Sequence, residues 1–149
     1  MKFVALVIPA ACSLLFCSIV AAADTPPQKP GLWETRMQQS PGGRGGDQPH
    51  TLQVCIDPET LAHGKQTADD YAKKNCSKNE THHEGAKWIS DMVCKAGKST
   101  MSTHSVTEFS GENAYHTQMT MSYDPPLGGR AGSTTTVDGK WLGACKPAA

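Results

Sequence analysis

The chain has 149 residues, with 14 Lys+Arg balanced by 14 Asp+Glu. That length allows one domain, and the balance excludes the basic face of a nucleic-acid-binding protein and a polybasic membrane anchor. From Asp24 onward Leu, Ile, Val and Phe together number only twelve. A core this poor in aliphatics must draw on Trp, Tyr, Met and Thr methyls, and calls for cross-links.

Met1-Lys2, an apolar run from Phe3 to Val20 and the small residues Ala21-Ala22-Ala23 have the layout of a cleaved secretory signal. The expectation is a signal peptide over 1–23, a single disulfide-stapled domain over 24–149 and no membrane span in the mature chain. Pro9 and the polar or small Cys12, Ser13, Cys17 and Ser18 make the leader a poor spanning helix. The four cysteines outside it, Cys55, Cys76, Cys94 and Cys145, are an even set in an exported chain and predict two disulfides. Three pairings are possible. Cys55–Cys76 closing a local helical excursion, with Cys94–Cys145 tying the tail to the middle of the sheet, is the favoured one. The spacings contain no C-x-x-C, which excludes a dithiol redox motif or zinc ribbon.

Asp24 to Lys29 is a Pro-rich leader. Leu32 to Met37 alternates as a strand, and Ser40 to Pro49, with four Gly and two Pro, is a flexible loop. No helix or Lys-Ser/Lys-Thr pair follows that would make it a phosphate cradle around Arg44. Thr51 to Ile56 is a second strand with Leu52, Val54 and Ile56 inward. Asp57-Pro58-Glu59 supplies an N-cap, a proline at the first helical position and an early acid. A second short helix is predicted over Thr67 to Asn75, with Lys73 and Lys74 in its last turn. Glycines 85, 97 and 111 then punctuate a β-meander. Its strands are Ser77–Glu84, Lys87–Lys95, Lys98–Ser110, Ala114–Tyr123 and Ser133–Leu142, with a longer loop over Asp124 to Gly132.

The hairpin around Gly111 has a derivable register. A three-residue loop, Gly111-Glu112-Asn113, pairs Phe109 with Tyr115, Thr103 with Met121 and Met101 with Tyr123. A two- or four-residue loop would set these apolar faces on opposite sides. The same register sets His116 opposite Glu108 as a cross-strand charge pair. The fold class is therefore mainly β (α+β): an antiparallel meander sheet or partial barrel with a short helical insert and two disulfides.

The six histidines do not converge. His82 and His83 alternate across a strand, and His104 and His116 stand on the order of 13 Å apart along one face. The thioethers of Met119 and Met121 are of the kind that selects Cu(I), but the register turns them inward as core filling, so no metal or other cofactor is expected. No G-x-S-x-G, H-E-x-x-H or P-loop is present. The Asp69-Asp70 pair lies beside Lys73 and Lys74 on a solvated helix. Trp33, Trp88 and Trp141 remain as candidate ligand-binding residues, with Trp33 and Trp141 meeting if the first and last strands are neighbours.

Three segments carry a family resemblance: Lys29-Pro30-Gly31-Leu32-Trp33-Glu34, Val54-Cys55-Ile56-Asp57-Pro58-Glu59 and Gly139-Lys140-Trp141-Leu142-Gly143-Ala144-Cys145. Together the chain resembles a bacterial family of small exported proteins classed as a domain of unknown function, family 3617. The resemblance implies a Gram-negative periplasmic setting and four paired cysteines, and transfers no catalytic or binding residues. Ala144 departs from the Asp that many relatives carry before the final cysteine. The functional expectation is a non-catalytic periplasmic module that binds a small apolar ligand or an envelope partner. The alternatives are a structural envelope protein without ligand and, behind it, a Cu(I)-binding or hydrolytic protein.

Overall fold

The computed structural model describes residues 28–40 and 48–145; the expected signal peptide and most of the Pro-rich leader and Ser40–Pro49 loop lie outside them. Seven strands form one open antiparallel sheet: β1 (Gly31–Ser40), β2 (His50–Ile56), β3 (Cys76–Glu84), β4 (Lys87–Ala96), β5 (Ser99–Ser110), β6 (Ala114–Leu127) and β7 (Arg130–Gly143). Their spatial order is β2-β1-β7-β6-β5-β4-β3. The meander and the helical insert are as the sequence predicts; an open sheet is found rather than a partial barrel. The Gly111 hairpin has the derived register, with Phe109 opposite Tyr115, Thr103 opposite Met121 and Met101 opposite Tyr123.

Between β2 and β3 runs α1 (Pro58–Asn75), one continuous helix where a break and a second short helix were expected. The Asp57 carboxylate accepts from the Thr60 amide at 2.7 Å and from its hydroxyl at 3.0 Å, fixing the start. Gly64 costs only about 1 kcal/mol in a helix interior, and a Lys65–Asp69 ion pair at 2.6 Å bridges the turn just after it. The other departure is at the far end of the meander. The expected loop over 124–132 is mostly strand, with β6 running to Leu127 and a tight Gly128-Gly129 turn feeding β7.

Because β2 and β3 lie at opposite edges, α1 must carry the chain across the whole sheet. Its 18 residues give a length of about 27 Å, close to the roughly 29 Å width of seven strands. This overturns the favoured cysteine pairing, which needed β2 and β3 to be local neighbours. The bonds are Cys55–Cys145 and Cys76–Cys94. Cys145 follows β7, which lies one strand from β2, and Cys76 is the register partner of Cys94. Cys55 precedes the N-cap by two residues and Cys76 is the C-cap. Each end of the helix is thus stapled to the sheet. Chain-entropy estimates for separations of 90 and 18 residues are about 4–5 and about 3 kcal/mol.

The pairings divide the side chains between two faces. The outer face is mostly polar, interrupted by Ile89, Val93 and Val106. Along one row Glu84, Lys87, Glu108, His116, Asp138 and Arg36 alternate in sign across six strands. His116 is opposite Glu108, yet its imidazole pairs with Asp138 at 2.7 Å, while Glu108 is met by Lys87 at 3.9 Å. The expected His116–Glu108 charge pair is therefore replaced by two flanking ones, because each group has an oppositely charged neighbour on its other side as well. The helix face holds every methionine except the first, Met37, Met92, Met101, Met119 and Met121, and the strands' six aromatic residues.

Candidate functional site

The sealed part of the helix face is small. Trp33 is fully buried, with its ring 5.6 Å from that of Tyr115, which lies 6.0 Å from Phe109. Gly139 makes this possible: a β-carbon there would collide with the Tyr115 ring, so only glycine lets that ring settle on β7 towards Trp33.

Trp33 and Trp141 are register partners, as expected if the first and last strands are neighbours. They are tied to the segment before β1. The Trp33 indole N–H donates to the Lys29 carbonyl at 2.9 Å, and that of Trp141 donates to the Pro30 carbonyl at 3.1 Å. The Lys29 ammonium lies 3.6 Å from the centre of the Trp141 ring. Gly31, at φ 143°, has no room for a side chain against the Trp141 indole nitrogen and the Gly143 carbonyl. The Lys-Pro-Gly-Leu-Trp motif and the late Trp therefore form a clasp that joins β1 to β7. Both indole N–H groups are engaged by the chain itself, and Trp33 presents no surface to a ligand.

Trp88 is placed differently. It is half-buried on β4, and its ring lies 5.3 Å from that of His83. It lines a cleft of about 840 Å³ between α1 and the sheet. From the sheet come Trp88, Met92, Asn79 and Thr81; from the helix come Tyr71, Ala68 and Ala72, with His63, Lys65 and Asp69 at the polar side. The helix packs on β3 and β4 and buries only Ala72 fully. Small residues at 68 and 72, one turn apart, leave space under the helix where larger ones would fill it. Sequence reading singled out Trp88 but not Tyr71, Met92 or the alanines. The missing signal was the strand order that sends α1 across the sheet.

Among the described residues the clear electrostatic perturbations are of three acids, Asp57, Asp69 and Asp91. The Asp91 carboxyl is held below its ordinary value first by a 2.9 Å hydrogen bond with His104, with the charge of Lys78 assisting. Asp57 is lowered by the Thr60 amide and hydroxyl, and Asp69 by Lys65. These belong to a cap, a helix pair and a cross-strand pair. Among the described residues no group of three or more His, Cys, Asp and Glu could hold a metal ion. None of their helices is long and apolar enough to cross a membrane.

An open seven-stranded antiparallel sheet with a disulfide-pinned helix laid across it defines the class of protein. The family model described as a protein of unknown function, DUF3617, matches residues 28–145, and the chain belongs to that family. No curated protein and no solved structure matches it. The match takes in the clasp, the helix and all four paired cysteines.

Proposed function

We propose that this is an exported, non-catalytic periplasmic module that holds a small apolar or amphiphilic ligand between α1 and the helix face of the sheet. The observation that carries the reading is the cleft of about 840 Å³ beside Trp88, Met92 and Tyr71. Ligand sites of this size are mostly apolar with a few polar groups for orientation, and Asn79, Thr81 and Lys65 would supply those. The flexible Met92 side chain adapts to irregular apolar shapes. Two disulfides suit an oxidising compartment, and the leader over 1–23 has the pattern of an export signal.

Native mass spectrometry of the protein released gently from bacterial periplasm tests this. The expected result is an adduct of small-molecule mass that organic extraction removes. Protein bearing only its own mass, which after extraction also takes up no apolar probe, would exclude the reading. A protein partner is the second reading. It is favoured by Met37, Leu52 and Val54, which are 38–49% exposed together at the β1–β2 end.

A further inference from the structure

We propose that the helix face also carries a Cu(I) site, built from the thioethers of Met92, Met101 and Met121. Thr103 on β5 has Met92 as its register partner on β4 and Met121 on β6. Met101 precedes Thr103 by two residues, so it rises from the same face. Strand spacing and rise place the three Cα atoms about 8–10 Å apart around one small side chain. Methionine is long, unbranched and rotatable about three bonds, so three sulfurs from this triangle can meet above Thr103. Met119, opposite Ser105, borders the same spot.

The sequence points Met119 and Met121 inward as core filling, but among the described residues the only fully buried large side chain is Trp33, at the other end of this face. These methionines lie half-buried on an open face. Their neighbours on the sheet are Asn79, Ser90, Ser105, Ser133 and the oxidised Cys76–Cys94 pair, all uncharged, while α1 brings Lys65 and Asp69 to the cleft that Met92 lines. A neutral, soft ligand set favours Cu(I) over Zn²⁺, Mg²⁺ or Ca²⁺, which need anionic or harder donors. The Tyr123 hydroxyl donates to the Met121 sulfur at 2.7 Å, showing that this sulfur is oriented as an acceptor. Tyr123→Phe frees that lone pair.

The site shares Met92 with the apolar-ligand cleft, and substitution at the other two sulfurs separates the two readings. Leucine keeps the volume and apolarity of methionine but has no sulfur. The disulfide-intact protein is titrated with Cu(I) under ascorbate against bicinchoninate, with an apolar fluorescent probe measured in parallel. Wild type should withdraw one equivalent of Cu(I). Met101→Leu/Met121→Leu, which leaves the cleft-lining Met92 in place, should weaken this at least ten-fold while probe binding stays within two-fold, and Tyr123→Phe should tighten Cu(I) a few-fold. If the double variant loses its far-UV signature, Met101→Leu alone is read, with at least a three-fold loss expected. No competition by wild type, or unchanged affinity in the folded leucine variant, would overturn the site.

Discussion

The two ends of the sheet are finished in opposite ways. At the β3 end the edge strand carries Lys78, Glu80 and Glu84, charges that discourage pairing with another chain. There α1 covers the helix face, and Cys76–Cys94 ties the helix C-terminus to β4. At the β2 end the edge strand, His50–Ile56, has no Lys, Arg, Asp or Glu. Leu52 is 49% exposed and Val54 38%, although alternation points both towards the helix side. One end has a lid with space beneath it, and the other has apolar surface without a lid. A chain so poor in aliphatics fully buries one large aromatic, Trp33, among the described residues, and holds the rest of the sheet by register and disulfides.

Removing the staples should break the contrast most strongly. Cys55→Ser/Cys145→Ser should lower unfolding free energy by about 4–5 kcal/mol and Cys76→Ser/Cys94→Ser by about 3 kcal/mol in urea titrations. The order follows from loop lengths of 90 and 18 residues. Non-reducing peptide mapping should return these pairs and no Cys55–Cys76 peptide. Next, Trp33→Ala should cost about 3–5 kcal/mol, because it removes the largest fully buried side chain among the described residues. The same titration of Leu52→Ala, on the uncovered strand, should show a much smaller loss.

Gly64→Ala sharpens the comparison at the lid itself. A β-carbon at Gly64 meets nothing within 4 Å, and its backbone is helical. The substitution should therefore stabilise the protein by up to about 1 kcal/mol. The smallest effect concerns acid. Since the Asp91 carboxyl is lowered in the folded state, its contribution is fully present above its unfolded value of 3.8 and fades as pH falls through the lowered folded value. Asp91→Asn should flatten the acid limb of a stability–pH curve below about pH 4 and leave its shape near neutrality unchanged. The pair is exposed, so the change is small.

Local chemistry was legible and long-range order was not. The Asp57-Pro58 start was readable because capping involves adjacent residues. The Gly111 hairpin was readable because a one-residue slip would have turned Met101, Met121 and Tyr123 to the wrong face. Disulfide pairing failed because it depends on which strands are neighbours, and the sequence alone did not say that β1 pairs with β7. The roles of Trp33 and Trp141 were half-legible. Their meeting was foreseeable, but their bonds to the Lys29 and Pro30 carbonyls depend on how the chain enters β1. The cleft was hidden because it exists only once α1 crosses the sheet, making Ala68 and Ala72 matter by being small.

The central claim is that the covered end, and not the bare one, is the ligand site. Titration with N-phenyl-1-naphthylamine, read by its fluorescence, tests it most directly when wild type is compared with two variants. Ala68→Trp fills the space beneath α1, and Leu52→Ser/Val54→Ser makes the uncovered strand polar. The account predicts saturable binding by wild type, at least a ten-fold loss in Ala68→Trp and no more than a two-fold change in Leu52→Ser/Val54→Ser. Unchanged binding in Ala68→Trp, with loss in the β2 double variant, would contradict it.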